Sequence, residues 1–185
     1  MTRTIFSTAT SLNGYIADEA NSLGWLFAVE PPDPQDQLDF LAGIGVLVEG
    51  STTYEWVLRQ EQLLQNPGKW NEFYGNRPTF VFTTRDLPVP TGADVRCVNG
   101  PVTEVYDELE AAADGRDIWV VGGGDLAGQF LDAGLLDEIQ LFVAPVALST
   151  GAPLLPRRLE SDRLTLRSAQ QRGQFAYLVY DVARG

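Results

Sequence analysis

The segment IGVLVEG, residues 44–50, is apolar almost without interruption. A run of this kind marks a strand covered on both faces, because a strand with one solvated face alternates instead. It therefore demands a layer of structure on each side, and the flanking segments supply helices. Upstream, the Pro-rich EPPDPQ leads into QDQLDFLAG, where Leu38, Leu41 and Ala42 share one helical face and Gly43 or Gly45 ends the helix. Downstream, STTYEWVL places Thr52 and Glu55 in the S/T-x-x-E spacing of a capping box, which starts a helix at the C-terminal end of the strand.

The same alternation continues along the chain. RTIFSTAT (3–10) carries β-branched residues at alternating positions and runs into the turn pair Asn13-Gly14. Residues 59–77 are polar and turn-rich, which suits a helix end followed by an irregular loop. RPTFVFTTR is a second buried strand, and PVTEVYDELEAAADG is a helix with Pro101 in its first turn and Gly115 beyond its end. DIWVVGGG, DLAGQFLDAG and LLDEIQLFVAPVAL then give strand, helix, strand. LTLRSAQQR and FAYLVYDVA form two alternating strands joined around Gly173, an antiparallel hairpin at the sheet edge. The pattern predicts a three-layer α/β/α fold with a mixed, mostly parallel sheet, and 185 residues suit a single domain spanning 1–185.

Composition narrows the function classes. A formal net charge of −12, with no basic stripe, opposes a nucleic-acid partner. MTRTIFSTATSLNGY lacks the apolar core of a secretory signal, and no segment reaches the ~18 apolar residues of a membrane span, so no membrane partner and a cytoplasmic location are expected. With no histidine and one cysteine, zinc ligand sets and an intramolecular disulfide are not expected, and Cys97 reads as a structural thiol.

Gly122, Gly123 and Gly124 stand where an apolar strand meets a helix. A helix N-terminus offers free N–H groups and the positive end of the dipole, and glycines let a phosphate approach the backbone. The other reading is a tight turn with close helix–sheet packing. The run G-G-G-D-L-A-G does not match G-x-G-x-x-G, and no P-loop pattern occurs.

VVGGGDLAGQFLDAGLLDEIQLFVAPVAL resembles the C-terminal cofactor segment of the dihydrofolate reductase superfamily, closest to the branch of the bacterial riboflavin-biosynthesis reductase domain and its stand-alone relatives. TSLNGYIA, EGSTTYEWV and FVFTTR resemble further motifs of that branch, in the same order, over residues 3 to 155. The resemblance implies a dihydrofolate-reductase-like fold, a homodimer and NADPH bound across the C-terminal edge of the sheet. It implies Gly122, Gly123, Gly124, Asp125 and Leu126 against the diphosphate, and Gly50, Ser51, Thr52 and Thr53 at the diphosphate or adjacent ribose. Thr83, Thr84 and Arg85 would hold the adenosine end, with Arg85 forked onto a 2′-phosphate. Thr52 can equally be an N-cap, and Arg85 a solvated loop residue.

Two positions depart from the family pattern. Asn13 stands where the family has aspartate, and Ser51 where it has arginine, which leaves NADH as the alternative cofactor. Glu49 would repel an adenosine phosphate if it faced one, so it is expected to point elsewhere or to favour NADH.

Hydride transfer to a small heterocyclic substrate, of pterin or aminopyrimidine type, is the implied activity. The cofactor carries that chemistry, and the protein supplies orientation and a proton. Without histidine the proton comes from a carboxylic acid, a tyrosine or water. Asp36, four residues before Phe40, is similar to the pterin-binding carboxylate and aromatic of dihydrofolate reductases, and also suits a first-turn aspartate facing the helix dipole. Asp18 and Asn13 are the other candidates on the substrate side. A non-catalytic nucleotide-binding or regulatory protein on the same fold is the alternative.

Overall fold

The computed structural model describes residues 1–184. In chain order the elements are β1 (Thr4–Thr10), β2 (Tyr15–Ala17), α1 (Gly24–Phe27), α2 (Pro34–Ala42), β3 (Ile44–Gly50), α3 (Ser51–Gln60) and α4 (Gly68–Tyr74). There follow β4 (Thr79–Phe82), β5 (Val95–Val98), α5 (Val102–Ala113), β6 (Asp117–Gly122), α6 (Gly124–Asp132), β7 (Glu138–Val143) and β8 (Ala152–Pro153). A 3-10 turn (Ser161–Arg163) leads into β9 (Leu164–Arg172) and β10 (Phe175–Val182).

Eight strands make one sheet in the order β5-β4-β3-β6-β1-β7-β10-β9. The pairs from β5 to β7 are parallel, while β10 is antiparallel to both β7 and β9. The C-terminal hairpin therefore sits at the sheet edge, and its turn takes Gly173 at φ +57. The pair β2–β8 lies apart from the main sheet.

The doubly covered strand is β3. Val46 and Val48 pack into a core with α5 and α6, through Leu109, Phe130 and Leu131. Ile44 and Leu47 pack into a second core with α3 and α4, through Tyr54, Val57 and Trp70. These two cores are the two faces of a three-layer α/β/α arrangement. No helix of the described residues is long and apolar enough to cross a membrane.

Four local expectations need correction. The segment 59–77 contains α4, whose Trp70 and Tyr74 stand one turn apart and are buried, with Trp70 edge-on to Tyr54 at 6.0 Å. Those aromatics outweigh the polar residues between them. Helix α3 begins at Ser51 with Gly50 as N-cap and no side-chain cap, so Thr52 lies exposed inside the first turn and no capping box forms. In α2 only Leu41 is buried, because the helix lies on the rim of a cavity rather than flat on the sheet, and Leu38 and Ala42 face outward. Cys97, expected as a structural thiol, is exposed on the edge strand β5.

Candidate active site

Two parallel strands, β3 and β6, pair side by side, and each runs through glycine into a helix. Gly50 caps α3 and Gly123 caps α6, both in extended backbone and neither helix with a side-chain cap. The N–H groups of both first turns are thus left to find partners elsewhere. The two turns touch: a Cβ on Gly50 would lie 3.6 Å from the Gly123 nitrogen. Two positive helix ends converge on one spot at the carboxyl edge of the sheet, where α/β folds place their ligands.

The three glycines serve different ends. A Cβ on Gly124 would sit 2.3 Å from the Leu154 carbonyl oxygen and 2.5 Å from that of Pro153, so this glycine is required by the β8 segment crossing the start of α6. A Cβ on Gly122 would meet Thr53 Oγ1 at 3.2 Å. At Gly123 a Cβ would meet nothing within 4 Å. The packing reading holds at Gly124, which is bare for the β8 segment, while Gly123 faces open space. The Gly122–Gly123 peptide is cis.

The helix ends open into a cavity of about 1170 Å³. Gly50, Ser51, Thr52, Thr53, Gly122, Gly123, Gly124, Asp125 and Leu126 all line it, and so does Asp36. Asp36 lies 3.5 Å from Arg172 across the cavity rim. Asp125 is exposed and is held by Arg157 at 3.0 Å and by the Gln129 amide at 3.0 Å, which draw its pKa down.

The other sequence-predicted residues lie outside the lining. Asn13 ties the turn after β1 to residue 148, donating from Nδ2 to the Leu148 carbonyl at 2.6 Å and accepting the Leu148 N–H at 3.0 Å. Asp18 accepts the N–H groups of Ala20 and Ser22 at 2.9 and 2.8 Å and so shapes its own loop. Thr83 accepts the Arg85 N–H at 3.0 Å, and Thr84 is exposed. The Arg85 guanidinium forks onto Glu55 at 2.7 and 3.1 Å.

The family model for the RibD C-terminal domain matches residues 3–176. The chain belongs to this family. Among solved structures, a Shewanella sp. PV-4 protein assigned provisionally to riboflavin biosynthesis is 26% identical with a TM-score of 0.77, each chain being covered almost entirely (99% and 100%). The Thermotoga maritima diaminohydroxyphosphoribosylaminopyrimidine deaminase/5-amino-6-(5-phosphoribosylamino)uracil reductase is 15% identical with a TM-score of 0.66. The match covers 98% of this chain and 57% of that one. The dihydrofolate reductase of Enterococcus faecalis, solved with NADP(H) and RAB-propyl, is 17% identical with a TM-score of 0.59, covering 97% and 96%. The fold is therefore dihydrofolate-reductase-like.

In this RibD C-terminal-type fold a polar chain that sequence reasoning missed runs through the sheet to the cavity. Glu138, 1% exposed, receives hydrogen bonds from Arg3 and Arg167. Gln140 Nε2 donates to Glu138 at 2.5 Å, and Tyr177 donates its hydroxyl to Gln140 Oε1 at 3.0 Å. Gln140 and Tyr177 line the cavity, and the Arg172 guanidinium stacks 3.9 Å above the Tyr177 ring. The available signal was the pair Glu138 and Gln140 inside the otherwise apolar LLDEIQLFVAPVAL.

Glu49 is not among the residues that line the cavity. It is fully buried in β3 with no hydrogen-bond partner for either oxygen among the described residues, close to Tyr54 and Tyr74. Burial pushes its pKa up to about 8, so the side chain is neutral at pH 7 and presents no charge to an anion at the helix ends.

Proposed function

We propose that the chain is an NAD(P)H-dependent reductase acting on a small heterocycle of pterin or aminopyrimidine type, built as one domain over residues 1–185. One observation carries the reading: two uncapped helix N-termini meet at Gly50 and Gly123 on the floor of a large cavity. A diphosphate suits that spot, since it satisfies the free N–H groups of both helices and lies along both dipoles. The open space at Gly123 leaves room for it.

The first turns of α3 (Ser51, Thr52, Thr53) and α6 (Gly124, Asp125, Leu126) would hold the diphosphate, with Gly122 and Gly123 between them. Thr83, Thr84 and Arg85 would lie toward the adenosine end. When bound, the cofactor supplies the hydride. Bulky aromatics of the cavity wall, among them Phe40 edge-on to Trp119 at 5.2 Å, exclude water and orient a planar ring. Asp36 is the carboxylate best placed to relay a proton from water, and Arg172 beside it fixes its position. Asn13 and Asp18 act through the loop they brace.

The test is a titration with NADPH, read by quenching of protein fluorescence, followed by NADPH oxidation with dihydropterins, dihydrofolate and a ribosylaminopyrimidine. Binding with oxidation of one of these is expected. Binding without oxidation by any of them would leave a non-catalytic nucleotide-binding protein, and no binding would end the cofactor reading.

A further inference from the structure

The polar chain from Glu138 to Tyr177 has a fixed direction. Arg3 and Arg167 can only donate, so the Glu138 carboxylate accepts from both and can offer nothing but acceptor oxygens to Gln140. The Gln140 amide must then turn Nε2 toward Glu138 and Oε1 toward Tyr177. Oε1 is an acceptor, so the Tyr177 O–H proton is committed to it. What the phenol retains is an oxygen lone pair, able to accept a hydrogen bond from a ligand. Burial raises the Tyr177 pKa, partly offset by the nearby Arg172, which keeps the phenol neutral and the pattern intact at pH 7.

The charge around the cavity points the same way. Among its described lining residues Arg172 is the only lysine or arginine, and at this end it stands against Asp33 and Asp36. Arg172 already faces Asp36 at 3.5 Å and stacks on Tyr177. Strands β7 and β10 stand two and three places from β6 in the sheet, so this end of the cavity is separate from the helix-end cradle. A phosphate there would meet no uncommitted cation, only carboxylates.

We propose that this end of the cavity takes an uncharged, non-phosphorylated nitrogen heterocycle, recognised by a ring N–H that donates to the Tyr177 oxygen. The inference rests on the cavity being the substrate site of the reductase proposed above. Tyr177 and Gln140 are specificity residues in this scheme: the first touches the ligand, and the second sets the polarity that the first presents.

The experiment uses three matched probes: uridine, which has one ring N–H; 3-methyluridine, which lacks it; and uridine 5′-monophosphate, which adds a phosphate. Binding to the full chain is followed by tryptophan fluorescence, because Trp56 and Trp119 line the cavity. Saturating pyrophosphate keeps the helix-end cradle filled. Uridine should bind about tenfold more tightly than 3-methyluridine, the worth of one hydrogen bond, and more tightly than the monophosphate, whose phosphate finds no free cation. Tyr177→Phe should erase the gap between uridine and 3-methyluridine. Gln140→Leu should narrow it as well, by freeing the phenol to donate, and this second variant carries the test if the first does not fold. Equal affinities for uridine and 3-methyluridine, tighter binding of the monophosphate, or no saturable binding of any probe would overturn the inference. NADPH binding measured alone separates the two readings. Loss of cofactor binding with the uridine preference intact sinks the reductase, while cofactor binding with no preference sinks only this inference.

Discussion

Arg85 and Glu55 form a two-pronged ion pair, Nη2 to Oε2 at 2.7 Å and Nη1 to Oε1 at 3.1 Å, bridging the loop after β4 to helix α3. The fork that a 2′-phosphate would require is already engaged, and the hydrogen bond from Arg85 holds the Glu55 carboxyl below its ordinary pKa. A 2′-phosphate must compete with this carboxylate, so the preference for NADPH over NADH should be modest. Glu55→Gln should free the guanidinium and raise that preference severalfold, whereas Arg85→Ala should bring the two cofactors to equal affinity. Both changes should shrink with salt, since the pair is exposed. Calorimetric titration with each cofactor at two ionic strengths checks it. A Glu55→Gln protein with unchanged preference would show that Arg85 does not meet the 2′-phosphate.

Neighbouring glycines should respond unequally to the same substitution. Gly124→Ala drives a methyl group to within 2.3 Å of a backbone oxygen that has no flexible side chain to yield, and should destabilise the protein by about 2–3 kcal/mol. Gly123→Ala enters open space with extended backbone and should cost less than about 0.5 kcal/mol. Urea unfolding of the two variants gives the comparison. Equal losses would mean that β8 does not pack on α6 as described.

Glu49 should make stability depend on pH. Its folded pKa of about 8 lies above the ordinary 4.5, so the folded state holds a proton that the unfolded chain releases between those values. Its contribution is full below about pH 4.5 and is lost as pH rises, at about 1.4 kcal/mol per pH unit until about pH 8. Glu49→Gln removes this titration. The stability difference between variant and wild type should therefore widen in favour of the variant from pH 5 to pH 8, by at most about 4 kcal/mol, and then level off. Parallel stability profiles for the two proteins across that range would show that Glu49 is solvated or paired in solution.

Much of the fold was legible because the sheet writes itself in period and run length. IGVLVEG, DIWVVGGG and the C-terminal pair around Gly173 each identify their strand by local pattern alone. The junctions at Gly50 and Gly123 were legible for the same reason, since strand, glycine and helix are contiguous in sequence. What escaped notice depends on distant partners. Glu138, Gln140 and Tyr177 acquire a direction only from Arg3, just before β1, and Arg167 on β9. The commitment of Arg85 to Glu55 spans thirty residues. Trp70 and Tyr74 of α4 are buried in a core with Tyr54, Leu47 and Val81, which come from distant parts of the chain.

A diphosphate between the first turns of α3 and α6 is the centre of the proposed function, and Gly123 gives direct access to it. Valine at 123 meets no protein atom at its Cβ and should leave the fold intact, yet its branched side chain would occupy the space between the two helix ends. The decisive measurement is the affinity of NADPH for wild type and Gly123→Val by titration calorimetry, with matched urea unfolding curves to show that both are folded. Loss of affinity by about a hundredfold or more in a variant of near wild-type stability is the expected result. Unchanged affinity in the folded variant would place the cofactor elsewhere and contradict the account.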